Sequence, residues 1–207
     1  MIEFISEVRV INREESRTVT FTLGDLIFEY DERKNEYNIE HHGISFKQAA
    51  RVFFDYDRIE LYDEENSEVE DRYDTIGDLS VGYANISSGE TVIGNIGSFM
   101  GEINEIIFVV YTERVQIDGD EEKTDVTRLI SARFATNFKG GCIMVNTNEM
   151  TKEMIESLAF SEDEKAALAE ARKRPVVFDE DCPETTPERA LKFRRVNPPR
   201  SRVEKGA

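Results

Sequence analysis

Glu105 to Tyr111 reads EIIFVVY and Val126 to Ala132 reads VTRLISA. The first is the most apolar run in the chain and suits a central strand, and the second pairs naturally with it. Between them, Gln116 to Thr124 carries acidic residues around Gly119, as a solvated hairpin tip does. Working outward, Arg58 to Tyr62 alternates in polarity, and Arg72 to Asp78 continues the meander. Near the start, Val8 to Ile11 and Thr18 to Phe21 alternate around the polar turn Asn12 to Ser16, which predicts a hairpin, and Leu26 to Tyr30 predicts a further strand.

Helices are predicted between and after these strands. Asp31 can cap a helix from Glu32 to about His41, closed by His42-Gly43, because glycine readily takes the left-handed conformation that ends a helix. Ser45 with Gln48 forms a capping-box pattern, and Phe46, Ala49, Ala50 and Phe53 then recur on one apolar face. Strands and helices together predict an α+β fold. Ser80 to Glu102, rich in Gly, Ser and Asn, is expected as a long loop.

The 207 residues suffice for one ordinary core with an appendage, and 39% are hydrophobic. No apolar run reaches the length of a membrane span, and Met1 to Val10 lacks the basic start and apolar centre of an export signal. A soluble, cytoplasmic protein without membrane contact is expected. Cys142 and Cys182 form no CxxC or Cys/His cluster, so neither a metal nor a disulfide framework is expected, and no cofactor. The net charge of −17 excludes an extended nucleic-acid surface. It is unevenly placed: Met1 to Gly141 holds 14 basic and 30 acidic residues, Cys142 to Ala207 holds 12 and 13. Any RNA contact must therefore be a local arginine pocket.

Beyond Gly141 the character changes, which sets expected domains at 1–141 and 142–207. Ser161 with Glu164 opens a short helix that stops before Pro175, and Thr186-Pro187 starts another. With few large apolar residues, this mostly helical tail cannot build a core alone; it is disordered or docked.

Four pieces in order resemble the BrnT toxin family: FEYDERKNEYNIEHHGISFKQAARVFFD (Phe28 to Asp55), EDRYDTIGD (Glu70 to Asp78), IIFVVYTER (Ile106 to Arg114) and TRLISARFAT (Thr127 to Thr136). The resemblance covers about Leu26 to Phe138. It implies a small RelE-like antiparallel sheet with flanking helices, and a ribonuclease toxin of a type II toxin-antitoxin system held by a cognate antitoxin. Carried across, the family's motif places Lys34, Asn38 and His42 on the first helix, Arg72 on the middle strand, Arg114 after YT and Arg133 in ISAR. Residues 1–17 are extra, and the Ser80 to Glu102 loop is longer than in the shortest members. Arg174 to Arg195, RPVVFDEDCPETTPERALKFRR, is similar to the toxin-facing segment of BrnA-like antitoxins. No ribbon-helix-helix module accompanies it. One codon choice for Cys142 to Met150, CIMVNTNEM, reads HYGKYE and a stop in another frame, so a frameshift fusion of overlapping genes is expected, testable by sequencing the coding DNA.

The resemblance thus implies a toxin and its antitoxin-like tail in one polypeptide. Metal-independent RNA cleavage needs activation of the ribose 2′-hydroxyl, charge stabilisation at phosphate and a proton for the leaving oxygen. His42 would serve as general acid or base, Arg72, Arg114 and Arg133 would hold phosphate, and Lys34 would add positive field. The structural alternatives are a helix-end cap for His42 and exposed ion pairs for the arginines. In the tail, Phe178 would anchor in a pocket while Asp179, Glu180, Asp181 or Glu184 occupy the arginine site in place of phosphate. A homodimer is a further expected assembly. The competing function is a non-catalytic, toxin-derived interaction protein that binds a partner antitoxin, which the acidic balance favours.

Overall fold

The computed structural model describes residues 17–83, 105–117, 123–136 and 152–198. Seven strands form one sheet: β1 (Thr18–Leu23), β2 (Leu26–Asp31), β3 (Ile59–Tyr62), β4 (Arg72–Asp78), β5 (Ile106–Ile117), β6 (Lys123–Phe134) and β7 (Arg194–Arg195), in the order β1-β2-β6-β5-β4-β3-β7. Neighbours are antiparallel except β2 and β6, which run parallel. The long apolar strands β5 and β6 lie at the centre, as their sequences require. The partner of Thr18–Leu23 is β2, through the tight turn at Gly24 and Asp25. Val8 to Ile11, the partner expected from sequence, and the Ser80 to Glu102 loop beyond Tyr83 lie outside the described residues.

The helices are α1 (Glu32–His42), α2 (Phe46–Ala49), α3 (Lys152–Leu158), α4 (Glu162–Ala171) and α5 (Pro187–Ala190). Their ends follow the sequence. Asp31 accepts from the backbone of Arg33 and Lys34, and Ser45/Gln48 and Ser161/Glu164 both close as reciprocal capping boxes. Gly43 ends α1 at φ 75°, and a Cβ there would lie 2.4 Å from the Cβ of Ala171, so both the backbone and α4 demand glycine. After only one turn, α2 tightens into a 3-10 helix over Ala50–Phe54.

Each face of the sheet has its own core. Phe28, Tyr30, Ile107, Val109, Tyr111, Leu129 and Ala132 pack under Phe46, Ala49, Ala50 and Val52, joined by Leu158, Phe160 and Leu168. On the other face Ile76, Phe108, Val110 and Ile130 pack against Cys182 and Phe193. Residues 152–198 therefore contribute buried side chains to both cores rather than standing apart. Arg51 ties them in: its guanidinium donates to the carbonyl oxygens of Lys47 and Leu158 and lies 4.2 Å from the Phe160 ring centroid.

Two asparagines position α1. The Nδ2 of Asn38 donates to the carbonyls of Ile44 (2.7 Å) and Ala132 (2.8 Å), and its Oδ1 accepts from the Ala132 amide (2.8 Å). Asn35 Oδ1 accepts from the Phe46 amide. Asn38 is thus a buried stitch between α1 and β6, which brings the end of α1 to the part of β6 that carries Arg133.

Candidate functional site

Strand register decides which side chains share a face, since alternate residues point the same way. Arg72 on β4 lies opposite Thr112 on β5, which lies opposite Arg128 on β6. The following rows are Asp74, Val110 and Ser131, then Ile76, Phe108 and Arg133. Arg128 and Arg133 are separated by an odd number of residues and would point to opposite faces of a regular strand. A register shift between Val110 and Tyr111 in the β5/β6 ladder brings them to the same one. This face therefore carries Arg72, Arg128 and Arg133 together with the buried carboxyl of Asp74.

At one corner, Lys34, Arg72, Arg114 and Arg128 line a hollow of about 130 Å³ with Asp31 and Glu70. Three of the sequence-predicted residues meet here. Their counter-ions differ, however. Arg114 is held by Glu29 (3.0 Å) and Glu70 (2.8 Å), and Arg128 shares Glu29 (2.9 Å). Those carboxylates hold the Arg114 guanidinium even more firmly in its charged form. Lys34 and Arg72 instead meet the tail: Asp181 lies 2.6 Å from Lys34 Nζ and 3.5 Å from Arg72 Nη1. The Nε of Arg72 is buried without a hydrogen-bond partner.

His42 and Arg133 occupy the neighbouring position and line a cavity of only about 10 Å³ with Val176, Val177 and Ala171. That is the space of roughly one water. The imidazole Nε2 of His42 lies 3.0 Å from Asp179 Oδ2, while Nδ1 is buried without a partner. Burial pushes the His42 pKa below its ordinary value; the hydrogen bond and charge of Asp179 oppose that, and Arg133 and His41 add to it. The imidazole is thus biased to its neutral form. The other oxygen of Asp179 accepts the Cys182 amide at 2.7 Å, closing the turn that presents both aspartates.

Arg133 is almost wholly buried, 1% exposed, yet no carboxylate pairs with it among the described residues. Its guanidinium donates to the carbonyls of Pro183 (2.7 Å), Cys182 (3.3 Å) and Phe134 (3.2 Å). Phe108 and Phe178 lie over it, with centroids 4.4 and 5.0 Å away. Phe178 stacks on Arg133 rather than filling a deep pocket, and remains 38% exposed. Glu180 and Glu184 are exposed and form no ion pair among the described residues.

The expected site residues are thus brought together with a division of labour: Asp179 meets His42, Asp181 meets Lys34 and Arg72, backbone carbonyls meet Arg133, and Arg114 pairs with Glu29 and Glu70. Arg128 and Asp74 escaped sequence reasoning. Alternation along β4 and β6 is the signal that could have found Asp74, but the bulge hides Arg128. Among the described residues, no group of three or more His, Cys, Asp or Glu side chains is arranged to hold a metal, and no helix is long and apolar enough to cross a membrane.

Residues 30–87 match the model of a family described as the ribonuclease toxin, BrnT, of a type II toxin-antitoxin system. The match takes in Lys34, His42 and Arg72, and covers a little over a quarter of the chain. No curated protein matches the sequence.

Proposed function

We propose that this chain, whose residues 30–87 match the model of the BrnT ribonuclease-toxin family, is a metal-independent endoribonuclease toxin of a RelE-like kind, acting in the cytoplasm and silenced by its own antitoxin-like tail. The observation that carries this reading is the seating of Asp179 on His42 and of Asp181 on Lys34 and Arg72. Two carboxylates two residues apart meet cations that would, on this reading, hold anionic groups of an RNA backbone. With the tail lifted, His42 would exchange the proton of the 2′-hydroxyl or leaving oxygen, and Arg72 and Arg133 would bind the phosphate and stabilise its developing charge, with Lys34 and Arg114 extending the positive field.

The test is RNA cleavage. Since Leu158, Phe160 and Leu168 belong to the core, a truncation must spare them; ending the chain after Lys173 does so. That truncation and the full chain with Asp179→Ala and Asp181→Ala should both cleave RNA, and His42→Ala or Arg133→Ala in either background should reduce the rate by about 100-fold or more. No cleavage by either form sinks the proposal.

A second reading, a non-catalytic toxin-derived protein that binds a partner antitoxin, is favoured by one specific observation. Glu29 and Glu70 already neutralise Arg114 and Arg128, which weakens the corner as a phosphate site. Antitoxin binding by the truncated chain without cleavage would select this reading.

A further inference from the structure

The second half of the tail carries the opposite charge into the sheet. Thr186 caps α5, with its Oγ1 accepting the Arg189 amide, and this short turn delivers the Arg189 side chain between two buried carboxylates. Its Nη2 lies 2.7 Å from Asp74 Oδ2 and 3.0 Å from Asp63 Oδ2, and its Nε donates to the same Asp74 oxygen at 3.2 Å. Glu65 stands further out at 3.9 Å. Asp74 and Asp63 are 1% and 4% exposed, and the Oδ1 of each is buried without a partner. Asn66 donates to Asp63 Oδ2, but no other cation of the described residues pairs with either carboxylate. Such a pair without its guanidinium would leave two like charges facing each other away from water.

We infer that Asp63 and Asp74 form a guanidinium socket by which the sheet selects an arginine at position 189, giving the tail a second anchor whose charge sense is the reverse of the Asp179 and Asp181 anchor. The inference rests on the reading of the tail as a docked antitoxin-like segment and names how that segment is recognised. A planar fork donates from Nε and Nη2 at once; a lysine ammonium offers one point charge on a flexible stem and does not bridge the two acids in the same way. Cys182 lies between the two anchors and Phe193 just beyond the second, and both are apolar contacts of the segment with the sheet. An acidic sequence alone therefore does not suffice as a partner: it must be followed by an arginine on a capped turn.

Hydrogen exchange of the full chain tests this. Arg189→Lys and Arg189→Met should each speed exchange of the Ala190, Leu191 and Lys192 amides by about tenfold or more, with β5 and β6 amides unchanged. Should an orphaned acid pair unfold the single variants, Asp63→Asn/Asp74→Asn/Arg189→Met has no buried charge left, and its tail should still exchange fast. Exchange as slow as wild type in the Lys variant, or in the triple variant, overturns the inference. Faster exchange here, with no RNA cleavage by the truncated or Asp179→Ala/Asp181→Ala chain, keeps the socket and removes the nuclease reading; unchanged exchange removes the socket whatever the RNA result.

Discussion

His42 Nε2 and Asp179 Oδ2 stand 3.0 Å apart and join two positions separated by 137 residues in the chain. The contact sets the proton affinity of the imidazole from two sides, because the segment that buries the ring also supplies the carboxylate that favours its charged form. Asparagine at position 179 keeps an oxygen for the Cys182 amide, and Arg133 and Arg189 still hold the segment. Asp179→Asn should therefore lower the His42 pKa further below its ordinary 6.5, since burial persists and the opposing charge is gone. An NMR titration of the imidazole reads this directly; an upward shift would contradict the geometry.

Asp74 behaves in the opposite sense. Burial pushes its pKa up to about 6 from 3.8, against the pull of Arg189. A carboxyl whose folded pKa is raised contributes stability that is complete below the unfolded value and is lost as pH rises through the folded one. A shift of roughly two units corresponds to ~3 kcal/mol. Relative to Asp74→Asn, which stays neutral, the wild-type protein should lose up to about 3 kcal/mol between about pH 4 and about pH 7. Urea unfolding of both proteins across that range measures it, and a pH-independent difference would refute the assignment. His42 is common to both proteins and cancels.

Asn38→Leu should destabilise the chain by about 2–4 kcal/mol. The substitution conserves bulk but strips partners from the Ile44 and Ala132 carbonyls and the Ala132 amide, all buried. Denaturant unfolding gives the magnitude; a loss under about 1 kcal/mol would mean that α1 is held to β6 by packing alone.

Local chemistry was legible in the sequence wherever the deciding partner lies within a few residues. Asp31, Ser45 and Ser161 each announce a helix start and each caps one. The apolar runs around Val109 and Leu129 announce the central strands. The pairing of β1 with β2 was not singled out from the sequence, although the Gly24-Asp25 pair between alternating runs is itself a hairpin signal. Nothing local reveals the parallel contact of β2 with β6, nor the bulge that aligns Arg128 with Arg133. Arg189 in a short polar turn looks like solvated surface, and its partner Asp74 lies 115 residues away. That the acidic stretch at Asp179 to Asp181 would meet basic side chains followed from its charge, while the assignment of each carboxylate to its cation needed the fold.

Ribosomes deliver β1 to β6 of the sheet before they deliver its cover. β6 ends at Phe134, and the segment bearing Asp179, Arg189 and Phe193 emerges only afterwards. At a synthesis rate of about 5–20 residues per second, the intervening stretch takes on the order of several seconds to translate. During that interval the groups that meet Lys34, Arg72, His42 and Arg133 are not yet made, so the order of translation leaves these side chains without their later partners for a short time on every round of manufacture.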